Sequence, residues 1–200
     1  MSITDKLPAT FGDAKEEVDL EKYPTAKALV QRCAEFFAEV QDLNRTPGQD
    51  LEKYLNENYG PGNPYYEDFV KYVRKGIKEK EGWCASIEID GEKYRRSRVS
   101  LPKPETRFFS ITTVYMNSKD VYRGQYHVHP YGEINCVVQI DDGAELKGMK
   151  GWQGAGWTSP GAGTHHYPEV RNGAVVALYF LPAGRISFNA TDDMAQPLTV

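Results

Sequence analysis

The sequence predicts a mainly β protein, an antiparallel sandwich or barrel preceded by an α-helical region. Up to about residue 80, apolar residues recur at helical spacing. Beyond residue 81 they fall in short strand-like runs separated by Gly, Pro, Asn and Asp, and no helical period of useful length reappears.

Leu29, Cys33, Phe36, Phe37 and Val40 form one stripe of a helix over about 25–43. Pro47-Gly48 ends that segment, and a short helix, QDLEKYLNENYG, stops at Gly60-Pro61-Gly62. Asn63-Pro64 reads as an N-cap with proline at the first helical position. Tyr66, Phe69, Val70, Val73 and Ile77 then give a third helix its apolar face, and the lysines of KYVRKGIKEK suit its C-terminus. In SIEIDGEKY, Asp90-Gly91 between two β-like halves signals a hairpin. RFFSITTVYM, YRGQYHVHP, EINCVVQI and AVVALYFLP are the further strand candidates. This divides the chain into a helical region 1–80, a β region 81–190 and a tail 191–200. The first dozen residues and the stretch after Asn189 are expected to be weakly ordered or packed as arms.

Composition excludes several classes. The net charge is −4 and the pI about 5.6, so the chain lacks the basic surface a general nucleic-acid binder needs. No apolar run approaches a membrane span, and the polar, acidic start is unlike a secretory signal. No glycine-rich dinucleotide fingerprint is present, so no nucleotide cofactor is expected. The three cysteines, Cys33, Cys84 and Cys136, are odd in number and form no CxxC pair. They read as buried thiols of a cytoplasmic protein. A homodimer is among the expected assemblies, with the helices covering a sheet edge or forming the contact.

The chemistry gathers in GQYHVHPYGEINCVVQI, residues 124–140. The chain has only four histidines: His127 and His129 lie here, and His165 and His166 follow in GAGWTSPGAGTHHYPEVRNG. Strand residues two apart share a face, so His127 and His129 project together. The Pro130-Tyr131-Gly132 turn can return Glu133 beside them. Two imidazoles and a carboxylate around one point suit a divalent metal, with Fe(II), Mn(II), Ni(II), Cu(II) and Zn(II) all compatible with this donor set. By alternation Gln125 shares the face of His127, while Asn135, Val137 and Gln139 share that of Glu133. Tyr126, Tyr131, Tyr167, Trp152 and Trp157 are candidates for rim or wall. One or two of Arg95, Arg96, Arg98, Arg107, Arg123, Arg171 and Arg185 are candidates to enter the barrel and hold a substrate carboxylate.

HxHxxxE at 127–133, followed by Gly154, Pro160, Gly163 and His166, resembles the two metal-binding motifs of the cupin superfamily, with one extra residue between Pro160 and Gly163. The resemblance implies a cupin-type double-stranded β-helix, or jelly-roll barrel. It also implies His127, His129, Glu133 and a second-segment histidine as metal ligands. His165 and His166 both remain open for that place, and the spacing from Gly163 favours His166. Glu133 is expected as a ligand, with general acid/base as its other role.

The stretches LPATFGDAKEEVDL, QRCAEFFAEV, GQYHVHPYGEINCVVQI and GWTSPGAGTHHYPEV are similar to the 4-hydroxylaminobenzoate lyases of bacterial nitroaromatic breakdown. That resemblance implies conversion of 4-hydroxylaminobenzoate and water to 3,4-dihydroxybenzoate and ammonia, with a divalent metal. Catalysis is then expected from Glu133, His127 and His129, and substrate contacts from Gln125, Tyr126, Asn135, Arg123 and Tyr167. The competing classes are an iron-dependent ring-cleaving dioxygenase on a small aromatic acid, which would consume oxygen, and a non-catalytic small-molecule-binding cupin.

Overall fold

The layering follows from how the last long strand buries both of its faces. In the computed structural model, which describes residues 17–40, 47–80 and 82–197, that strand is β12 (Gly173–Pro182). It runs antiparallel between β3 (Phe109–Ser118) and β6 (Ile134–Gln139). Val176, Leu178 and Phe180 point to one side, into a core shared with the helices. Val175, Ala177, Tyr179 and Leu181 point to the other, into the barrel interior. Burial on both faces is why AVVALYFLP is continuously apolar rather than alternating.

Around this strand a six-stranded sheet forms in the order β1-β2-β3-β12-β6-β9, with β1 at Ile87–Asp90, β2 at Tyr94–Ser100 and β9 at Gly156–Thr158. A four-stranded sheet, β4-β11-β7-β8, joins Tyr122–Arg123, Glu169–Arg171, Glu145–Gly148 and Gly151–Gln153. The short strands β5 (His127–Val128) and β10 (His165–His166) pair with each other. Leu146 and Val170 of the second sheet pack against Val114, Ala177 and Tyr179 of the first. The architecture is the expected cupin-type double-stranded β-helix with helices in front of it.

The Asp90-Gly91 hairpin forms, with Gly91 at φ +53° and Asp90 opposite Tyr94. Other strands depart from expectation. β2 continues through Arg95–Ser100, a polar stretch that gives no alternation signal. YRGQYHVHP splits into β4 and β5 because the Gly124 N–H leaves the run to bond Pro168 O. β7, β8, β9 and β11 are only three or four residues long, too short for a period to register.

The helices are α1 (Pro24–Glu39), α2 (Gln49–Tyr59) and α3 (Pro64–Lys78). The expected extension of α1 to residue 43 runs into 41–46, outside the described residues, as does the N-terminal dozen. Asn63 caps α3, its side chain accepting from Tyr65 N. All three helices lie on the outer face of the six-stranded sheet, and they also cover its edge strand. Asn56 of α2 donates to Trp157 O at 2.8 Å and accepts from Trp157 N at 2.9 Å, occupying the groups a further strand would take. The Tyr66 hydroxyl bonds Val137 O and receives Gly156 N. Trp157 is therefore not a rim residue. It is fully buried, stacked on Phe36 with centroids 5.3 Å apart and planes 10° from parallel.

Phe36 also touches Phe37, Tyr59, Phe69 and Phe180. Phe36→Ala should therefore cost about 3–5 kcal/mol, read as a lowered urea midpoint with an unchanged slope. Cys33, Cys84 and Cys136 are buried, and the Cys84 thiol donates to Val73 O. Among the described residues no helix is long and apolar enough to cross a membrane.

Candidate active site

The helices reach the site through one segment. Glu52 of α2 accepts Ser159 N at 2.9 Å, and Gly48 N bonds the Ser159 hydroxyl. Ser159 in turn donates its hydroxyl to Glu133 O, and Glu133 N bonds Pro160 O. The loop after β9 thus grips the residue that ends the HxHxxxE stretch. Within that stretch the Gly132 N–H bonds His129 O, closing the turn, and Gly132 sits at φ +82°. A Cβ there would lie 2.5 Å from Pro47, so glycine is required twice over.

His127, His129 and His166 converge: one nitrogen from each lies within 4.8 Å of the others. In the β5–β10 pair His166 stands opposite His127, which brings the second segment to the first. His165 points the other way. Its Nδ1 meets the Tyr126 hydroxyl and its Nε2 meets Ala195 O, while Gln196 bonds its backbone on both sides. The C-terminal segment therefore packs as an arm over β10 as far as the described residues run.

The tautomers follow from the partners. His127 Nδ1 faces Gln125 O at 3.0 Å, and a carbonyl only accepts, so the proton is on Nδ1. His129 Nδ1 faces the Thr164 hydroxyl, which already donates to Gly161 O, so His129 also carries its proton on Nδ1. Both Nε2 lone pairs then face each other at 3.1 Å. Two acceptors at that distance repel unless a cation or proton lies against both. Burial pushes the three imidazoles down, His127 to about 4 and His129 and His166 well below their ordinary value, so at neutral pH all three are neutral donors. This donor set fits a divalent transition metal.

Glu133 lies beside this set, its Oε1 4.0 Å from His129 Nε2. Burial pushes its carboxyl up to about 7, partly offset by the hydrogen bond from the Asn135 amide. Asn135 Oδ1 and Thr158 Oγ1 are buried without hydrogen-bond partners, and both residues line the same cavity as Glu133, His127 and His166. Tyr94, Val114, Met116, Tyr179, Ile186 and Phe188 complete its wall. The cavity leaves about 50 Å³ open to the centres of water-sized spheres.

Of the expected substrate contacts, Asn135 lines this cavity. Arg123, Tyr126 and Tyr167 line a second, outer depression with His165 and Gln196, and Lys147 and His166 are common to both. Gln125 lines neither; its backbone carbonyl orients His127. Trp152 lies under Arg171, and Tyr131 is exposed. Tyr94 and Tyr179 were not legible as site residues, since nothing near them in sequence carries a motif, and Thr158 was passed over within the second histidine segment because it is not one of the motif positions.

Glu169 organises the outer depression, held by Lys147 and Arg123 from the strands on either side. Burial pushes its carboxyl up, but hydrogen bonds from the two cations outweigh this and hold it below the usual carboxylate range. The stability it contributes is complete above that range and lost as pH falls through the depressed value. Glu169→Gln should therefore lower the melting temperature at neutral pH, and the gap from the parent should close in acid.

A family profile described as PnbB: 4-hydroxylaminobenzoate lyase matches residues 31–188. A 4-hydroxylaminobenzoate lyase of Nocardioides sp. (strain LMS-CY) is 53% identical over 84% of this chain and 96% of its own length. One of Pseudomonas putida is 50% identical over 80% of this chain and 94% of its own. Among solved structures, the DMSP lyase DddQ from Ruegeria pomeroyi DSS-3 aligns with a TM-score of 0.44 at 14% identity, covering 88% of this chain and 97% of that one.

Proposed function

The chain belongs to the 4-hydroxylaminobenzoate lyase family, and we propose that it converts 4-hydroxylaminobenzoate and water to 3,4-dihydroxybenzoate and ammonia with a divalent metal, as a step in the breakdown of nitroaromatic acids. The observation that carries the metal-dependent reading is the pair of Nε2 lone pairs facing each other beside His166, in one cavity with a carboxyl poised near neutrality.

His127, His129 and His166 would hold the ion, which supplies Lewis acidity and lowers the pKa of water toward neutrality. Glu133, whose carboxyl burial holds above its ordinary value, gives its proton to the departing hydroxyl as the N–O bond breaks, and that oxygen leaves as water. A second water adds to the ring carbon beside the nitrogen while the Glu133 carboxylate takes its proton. Asn135 keeps the carboxyl oriented through its amide, and the unpartnered Asn135 Oδ1 and Thr158 Oγ1 are placed to receive the N–H and O–H of the hydroxylamino group. Hydrolysis of the imine releases ammonia, and loss of the ring proton restores the aromatic ring. The sum consumes one water and no electrons, so no nicotinamide or flavin is needed.

Incubating the purified, metal-analysed protein with 4-hydroxylaminobenzoate under nitrogen should yield ammonia and 3,4-dihydroxybenzoate in equal amounts. No ammonia from this substrate would refute the lyase reading. A strict need for oxygen would favour the ring-cleaving alternative.

A further inference from the structure

The substrate of the proposed reaction carries a carboxylate at the far end of the ring from its hydroxylamino group, and this inference rests on that reading. Two basic residues compete to meet it. Lys147 borders the cavity, but its neighbour Leu146 and the facing Val170 occupy the interior. By alternation Lys147 turns outward, where its ammonium is bound by Glu169.

Arg96 is placed differently. In the β2–β3 ladder it stands directly opposite Val114, as Tyr94 stands opposite Met116. Residues directly opposite in an antiparallel pair share a face. Val114, Met116 and Tyr94 all line the cavity, so Arg96 leaves the same face of β2 beside Tyr94, next to the lining rather than within it. Arg95, one residue away, lies on the outer face over the Tyr115 ring at 4.4 Å. Burial lowers the Arg96 pKa, and Tyr179 and Tyr94 are close enough to the guanidinium to act against that lowering. Both phenols line the cavity.

We propose that Arg96, with the hydroxyls of Tyr94 and Tyr179, is the carboxylate-recognition site of the inner cavity. A planar guanidinium flanked by two phenols offers the paired N–H and O–H donors that a benzoate head takes. The residues proposed to act on nitrogen, Glu133 and Asn135, lie at and just before the start of β6, and Arg96 lies on β2 three strands across the same sheet. A ring between these positions selects the para isomer.

The test compares 4-hydroxylaminobenzoate with its neutral amide in the metal-loaded enzyme. Arg96→Met should lower the acid-over-amide ratio of kcat/KM on the order of 10- to 100-fold, chiefly through KM for the acid. Arg96→Lys, which keeps the charge and loses the fork, should fall between. Equal losses on acid and amide would show a merely structural role and overturn the assignment. So would an unchanged ratio in Arg96→Met, or a ratio that collapses in Lys147→Met instead. If Arg96→Met does not fold, Arg96→Lys decides: a reduced ratio supports the site and a wild-type ratio refutes it. Calorimetry with unreactive 4-aminobenzoate and 4-aminobenzamide separates this from the reaction itself. An Arg96-dependent preference for the acid would stand even if the protein released no ammonia, and absence of that preference in the wild type would refute the site.

Discussion

Replacing His127 by alanine is expected to remove both the metal and the activity. His127 is buried, and its Nδ1–H is spent on Gln125 O, so Nε2 is its only free donor atom. That atom faces His129 Nε2 at 3.1 Å, and the His166 ring is centred 5.0 Å from its own. Removing one of three convergent imidazoles leaves two, too few to hold a divalent ion against cellular chelators. Bound metal, measured by elemental analysis, should fall from about one per chain to near zero. Turnover should fall by about 10³-fold or more, the scale of losing a preorganised electrostatic group. His165→Ala is the matched control, because that ring faces Tyr126 and Ala195 rather than the cluster. It should keep its metal. Full turnover in a metal-free His127→Ala protein would sink the metal-dependent mechanism.

The second large effect is expected at Glu133, where the chemistry and the metal can be told apart. Glu133→Gln preserves size and still offers an oxygen to the Asn135 amide, but it cannot exchange a proton. If Glu133 carries the proton, turnover should drop by about 10²–10⁴-fold while the metal content stays at the parent level. Loss of the metal together with activity would instead place Glu133 among the ligands, the role its position in HxHxxxE suggests. Retention of both would remove it from the mechanism. Because the cause of its raised pKa is burial, admitting water should lower that pKa again.

Much of this protein is determined by local sequence. Helical periodicity placed α1 to α3, Asn63-Pro64 marked the start of α3, and Asp90-Gly91 marked the first hairpin, because caps and tight turns depend on neighbours along the chain. The spacing of His127, His129 and Glu133 declared a site for the same reason: one strand and one turn carry all three.

Only the tertiary structure decided what depends on partners distant in sequence. The pairing of β10 with β5 turned His166 toward the cluster and His165 away, a choice that two adjacent histidines cannot show on their own. Trp157, beside the histidine segments in sequence, was drawn into the helix-facing core by Phe36 and Tyr59. Tyr126 and Tyr167 went to the outer depression, while Tyr94 and Tyr179 came to the inner wall from strands that hold no motif. A residue's face is set by its strand's register against neighbours as far away in sequence as Phe109 is from Pro182, and register is decided by burial of the whole sheet rather than by any short stretch.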